Sequence, residues 1–155
     1  SHIEFLAEAI GDPRANFIVA LLKATEGPGT ILTYNQAFEI ARLKELSTDF
    51  PKYKVDLEER ISRVMDLMTP FSKRWYYTPD MNGSYSIKVV LPALIPELSY
   101  NDLEIGDGGS ASAAFLNLFE MTDENLINQV RTNVKEYCKM DTYAMVRLME
   151  KLESL

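Results

Sequence analysis

Only one stretch of this chain reads clearly as a β-strand, and that scarcity constrains the fold more than any other feature. Thr30 to Tyr34 (T-I-L-T-Y) is rich in β-branched and aromatic residues and follows Gly27-Pro28-Gly29, a run that ends the preceding helix. Ile3 to Leu6 offers at most the end of another strand. An autonomous α/β domain pairs several strands in one sheet. The sheet is therefore expected to be contributed from elsewhere, or to lie mostly before residue 1.

The rest of the pattern is helical. Asp12-Pro13 supplies a cap and a first-turn proline for a helix with Phe17, Ile18, Leu21 and Leu22 on one face. A second helix follows Asn35, with Phe38, Ala41, Leu43 and Leu46 as its apolar positions. A third is expected over 56–68, where Leu57, Ile61, Val64, Met65 and Met68 recur at helical spacing. Residues 75–107 are the least regular third, broken by Pro79, Gly83, Pro92, Pro96 and Gly106, with one short helix near 86–91. Ser110 is expected to cap a helix reaching Glu120. Thr122-Asp123-Glu124 opens the last and longest helix, its buried stripe running through Leu126, Ile127, Val130, Val134, Tyr137, Met145, Val146, Met149 and Leu152.

A chain of 155 residues makes one domain, 1–155, with 46% hydrophobic and 25% charged residues. At this size roughly 70% of the unfolded surface is buried, so no staple is needed. Cys138, the single cysteine, has no internal partner, and no apolar run approaches the ~20 residues that span a bilayer. A cytoplasmic protein without a membrane partner is expected. The net charge of −7 disfavours broad binding of nucleic acid. It does not exclude a nuclease whose carboxylates hold the cations that meet phosphate.

Two motifs carry chemistry. Tyr137 and Asp141 are four apart on the last helix, so phenol and carboxylate project to one side. In a phosphodiesterase, Asp141 would hold a divalent cation and Tyr137 would orient the attacking water. The blander alternative is a half-buried tyrosine beside a solvated aspartate; Tyr76 and Asp80 repeat the spacing across Pro79. The second motif is Asn35-Gln36-Ala37-Phe38-Glu39. A carboxylate in the first turn of a helix after a strand lies at the carboxyl edge of a sheet, where α/β ligand sites gather. There Asn35 would cap the helix and Phe38 would face the core. Its blander alternative is a capped helix whose Glu39 complements the dipole.

In this order, N-x-x-F with a following acid and then Y-x-x-x-D resemble the second and third motifs of DEDD exonucleases, in the tyrosine branch of that RNase H-like superfamily. The chain also closely resembles a bacterial domain-of-unknown-function family (family 2779) expected to be RNase H-like. The resemblance rests on Phe5-Leu6 with Gly11-Asp12-Pro13-Arg14, Tyr34-Asn35 with Phe38-Glu39, and Asp66-Leu67. It continues through Gly83-Ser84 with Ser86-Ile87-Lys88, Leu91-Pro92 with Leu98-Ser99-Tyr100, and Tyr137-Cys138 with Asp141-Thr142. It implies a helix-rich α/β fold, the C-terminal part of an RNase H-like domain with few strands. It further implies a 3′–5′ exonuclease acting on single-stranded nucleic-acid ends with a Mg²⁺ or Mn²⁺ pair. Glu39 and Asp141 would be metal ligands, Tyr137 the water-orienting phenol, and Asn35, Phe38 and Lys88 substrate contacts.

Two departures qualify that implication. Glu39 stands where the superfamily usually has aspartate, and no D-x-E strand occurs before residue 30. The first two ligands are expected upstream, leaving 1–155 catalytically silent by itself and its sheet edge open to pairing between chains. The rival from another class is a non-catalytic RNase H-like module that binds nucleic acid or serves structure.

Other features weigh less. Lys73-Arg74-Trp75-Tyr76-Tyr77 interleaves cations and rings as single-strand binders do, or simply covers the core. Ser84 to Lys88 offers a helix N-terminus for a phosphate, or a capped helix with a solvated lysine. Asp107-Gly108-Gly109-Ser110 lacks the lysine of a phosphate loop and reads as a turn. His2 and Ser1 read as a vector remnant, and Cys138 as a buried small hydrophobe.

Overall fold

A computed structural model of the chain describes residues 2–154. The expected helix-rich α/β class is what is found. In order come α1 (Arg14–Ala24), β1 (Ile31–Thr33), α2 (Gln36–Asp49), α3 (Lys54–Ser62), β2 (Val64–Asp66) and the single turn α4 (Thr69–Ser72). Then follow α5 (Ile87–Leu94), α6 (Gly108–Asn117) and α7 (Glu124–Glu153). No helix among the described residues is long and apolar enough to cross a membrane.

The main correction is β2. Residues 64–66 were expected to continue a helix, but α3 stops at Ser62 and Val64-Met65-Asp66 pairs in parallel with Ile31-Leu32-Thr33. The pairing is a tertiary event, and it overrides a local apolar spacing that suits both states. Arg60 and Arg63 hold it in place. Arg60 donates to the Leu22 carbonyl, and Arg63 donates to those of Thr25 and Gly29, which binds the loop before β1 to the end of α3. Residues 3–6, by contrast, form no strand. They lie along α7, where Arg131 donates to the Leu6 and Ala7 carbonyls and Lys135 pairs with Glu4.

Several helix starts also differ from expectation. Asp107, not Ser110, caps α6, accepting from the Ser110 N–H and hydroxyl. Asp123, not Thr122, caps α7, accepting from the Asn125 and Leu126 N–H groups. Asn35 precedes α2 with φ 71° and its side chain makes no capping bond. At α1 the boundary residue is Pro13 rather than Asp12, and Arg14 rather than the proline is the first helical residue; Asp12 still accepts from the Arg14 N–H, and the Arg14 guanidinium pulls its carboxyl down to about 2. Pro92, expected as a breaker, sits inside α5.

Two apolar clusters result. A small one gathers Ile18, Leu46 and Leu57 from α1, α2 and α3. A larger one gathers Phe71, Met81, Val90, Leu91, Tyr100, Ala111, Tyr137, Ala144 and Leu148, chiefly from α5 to α7. Leu126 and Val146, expected in the buried stripe of α7, are exposed, as is Cys138. Val146 lies on the face of α7 opposite its buried residues and Cys138 on the flank, whereas Leu126 shares the buried direction but stands in the first turn. The β1–β2 pair lies where the ends of α2 and α7 reach the same ground.

Candidate functional site

Both strands end side by side, and the chain leaves β1 through a turn that only a few residues adopt readily. Asn35 takes the left-handed conformation, which asparagine tolerates better than most residues. Its backbone N–H donates to Asp66 Oδ1 at 2.9 Å, and the Met68 N–H donates to the same oxygen at 3.0 Å. One carboxylate oxygen at the end of β2 thus fastens the exits of both strands.

Glu39 stands in the first turn of α2, partly buried, with Oε2 shut off from solvent and without a hydrogen-bond partner. Burial raises its carboxyl above the ordinary range, and the negative charges of Asp66 and Asp141 add to the rise. Like charges act on a carboxyl in this way through space, and these two come from β2 and α7.

Asp141 is held from the other side. The Tyr100 hydroxyl, on a residue only 6% exposed, donates to Asp141 Oδ1 at 2.8 Å. The Tyr100 and Tyr137 rings pack 6.3 Å apart. Both phenols are pushed well above their usual range, first by burial and then by Asp141. They are neutral hydrogen-bond donors at any ordinary pH. Tyr34 closes the near wall: its hydroxyl donates to the Tyr85 carbonyl at 2.7 Å, and its ring stacks on Phe71.

Tyr137 and Asp141 share one face of α7, and the charges of Asp66 and Asp141 act on Glu39. Asn35 is tied to Asp66 through its backbone N–H. Phe38 does not take the core position expected of it; it is 63% exposed on the outer face of α2, with the Arg42 guanidinium 5.6 Å from its ring centre. The strand-to-helix turn rotates the first turn of α2 so that Glu39, not Phe38, faces inward. Lys88 is exposed in the first turn of α5 and reaches the rim through Asp107, whose carboxyl it helps to hold down and whose charge also acts on Tyr137.

Asp66 and Tyr100 bond to residues singled out by the sequence, and no site role was expected of them. Asp66 was hidden inside an expected helix, although an acid closing a Val-Met-Asp run is a strand-end signal. Tyr100 comes from the irregular segment between α5 and α6, where periodicity carries no information.

The donors are hard carboxylate oxygens, suited to Mg²⁺ or Mn²⁺, and the unpartnered Glu39 oxygen fits a cation that would satisfy it. Among the described residues, no three His, Cys, Asp or Glu side chains are close enough to form a ready-made metal cluster.

A family profile described as Domain of unknown function (DUF2779) matches residues 1–86. The chain is 28% identical over 136 residues to Uncharacterized protein UU173 of Ureaplasma parvum, covering 74% of this chain and 19% of that protein. It is 28% identical over 139 residues to Uncharacterized protein MG366 of Mycoplasma genitalium, covering 81% of this chain and 21% of that protein. The chain thus spans about a fifth of the length of these relatives. No solved structure matches it.

Proposed function

This chain belongs to the domain-of-unknown-function family DUF2779, and on that premise we propose that it forms part of a metal-dependent 3′–5′ exonuclease acting on single-stranded nucleic-acid ends. The observation that carries the reading is the unpartnered Glu39 oxygen, shut off from solvent in the first turn of α2, together with Tyr137 and Asp141 on one face of α7. The resemblance to the tyrosine branch of RNase H-like DEDD exonucleases supports the same assignment.

In this reading Glu39 and Asp141 would hold a Mg²⁺ or Mn²⁺ ion in the full-length protein. Such an ion, when bound, supplies positive charge to a phosphate and acidifies a water. Glu39 is suited to this because its ionised form is penalised by burial and by like charges, a penalty that a cation removes. Tyr137 stays protonated and orients the water by hydrogen bond rather than taking its proton. Asn35 and Lys88 stand at the strand exit and the α5 end of the rim, where they would meet the substrate. Phe38, on the outer face of α2, is left without a substrate contact.

The test is cleavage of a labelled single-stranded oligonucleotide by the full-length natural protein with Mn²⁺. Activity should be metal-dependent and start from the 3′ end, and Asp141→Asn should abolish it. Undiminished cleavage by that variant would sink the assignment. The non-catalytic alternative draws on Glu39 in place of aspartate and on the acidic net charge of −7; it predicts oligonucleotide binding with no Mn²⁺-dependent cleavage.

A further inference from the structure

Lys73-Arg74-Trp75-Tyr76-Tyr77 has two readings, core cover or exposed contact surface, and they part on where its rings lie. Tyr76 turns inward and meets Phe71 edge-on, ring centres 6.3 Å apart. Trp75 and Tyr77 turn outward, 75% and 48% exposed. The outward swing is made at Arg74, whose φ of 57° puts a long side chain in the left-handed region. Such backbone strain concentrates at binding and catalytic positions.

Arg74 stands apart in a second respect. Among the described residues, each of the chain's six other arginines forms an ion pair, whereas Arg74 forms none. Lys73 forms none either. Lys73 is in this respect like most lysines of the chain, so it is Arg74, beside an exposed indole, that stands out. Trp75 also lines a groove of about 600 Å³ with Leu32, Met65 and Pro70, and that groove extends to Asp66.

We propose that Arg74 and Trp75 form a contact surface for single-stranded nucleic acid, a base stacking on the indole while the guanidinium meets an adjoining phosphate. Unpaired bases expose the face that stacking needs, and their phosphates supply the anion that Arg74 lacks. An apolar peptide would use the groove and leave both cations unanswered. The groove itself is apolar with Asp66 and Glu153 on its lining, so the phosphates stay on the Arg74 side of the indole; the substrate class rests on the nuclease reading above, the stacking contact does not.

Trp75 is the only tryptophan of the chain, so its fluorescence reports directly on this surface. The chain is titrated, in EDTA to stop any cleavage, with single-stranded DNA and RNA of about a dozen nucleotides, within the usual site sizes. Saturable quenching is expected, with log K against log salt falling at a slope of about −1.4 for two phosphates neutralised. By anisotropy of a labelled strand, Trp75→Ala weakens binding roughly ten- to hundredfold and Trp75→Phe restores most of it. Arg74→Gln makes the salt slope shallower by about 0.7.

Unchanged Trp75 fluorescence overturns the proposal, as does Trp75→Ala binding as tightly as the parent. Equal quenching by duplex, or a change with protein concentration alone that marks self-association, overturns it too. The two readings separate cleanly. Cleavage by the full-length protein without Trp75 quenching removes the contact surface and leaves the nuclease. Quenching without cleavage does the reverse.

Discussion

Tyr76–Asp80 and Tyr137–Asp141 have the same spacing and lie in opposite surroundings. The first pair straddles Pro79 in a loop: Tyr76 lies against Phe71, while Asp80 sits exposed in a single 3₁₀ turn. The second lies inside α7, where helical geometry puts both side chains on one face and Tyr100 crosses from another segment to grip the acid. Spacing becomes a site only where the backbone converts it into direction and a third residue removes the remaining freedom. The contrast is open to measurement.

The widest difference is expected between the two aspartates. Asp141→Asn should lower the Mn²⁺-dependent cleavage of the full-length protein by at least about a thousandfold, whereas Asp80→Asn should leave it unchanged; equal losses would erase the distinction. Next come the tyrosines. Tyr137→Phe should cost about tenfold in kcat, the worth of one orienting hydrogen bond, with Tyr76→Phe near parent activity. A Tyr137→Phe enzyme at full rate would remove the phenol from the chemistry.

Smaller effects concern the fold. Tyr100→Phe loses a buried bond to a carboxylate and should destabilise the chain by about 1.5–3 kcal/mol in urea denaturation, while Tyr76→Phe, losing no bond, should stay within about 0.5 kcal/mol. Indistinguishable midpoints would mean that Asp141 does not depend on Tyr100. The smallest effect belongs to Glu39. Its folded-state carboxyl is raised, so its stabilising contribution is complete below the ordinary carboxylate range and is lost as pH rises through the raised value. Glu39→Gln should therefore raise Tm by about 1–3 °C at pH 7 and not at pH 4, and added Mn²⁺ should erase that gain by stabilising only the parent. A Tm gain of the same size at both pH values would refute the electrostatic cause.

How far the residues announced all this depended on what held each part. α1, β1 and α7 follow in outline from breakers and apolar period, because local signals decide them, whereas α5 runs through the Pro92 expected to break it. β2 escaped because Val64-Met65-Asp66 becomes a strand only by meeting β1, and no window of the chain contains both partners. Tyr137 and Asp141 were legible as a helical pair, and Glu39 as an acid at a strand exit. Tyr100 was not, since a bond across 41 residues leaves no trace in spacing. The cap assignments missed by one to three positions for a simpler reason: Asp107 and Asp123 compete with their serine and threonine neighbours, and the charged acceptor wins.

The double acceptance at Asp66 Oδ1 has a consequence for observation. Because the amides of Asn35 and Met68 both donate to that one oxygen, their hydrogens should exchange with solvent as a pair. Whatever draws the Asp66 carboxylate toward a ligand loosens both together. Two backbone signals, 33 positions apart in sequence, would then report occupancy of the cleft without any label placed in it.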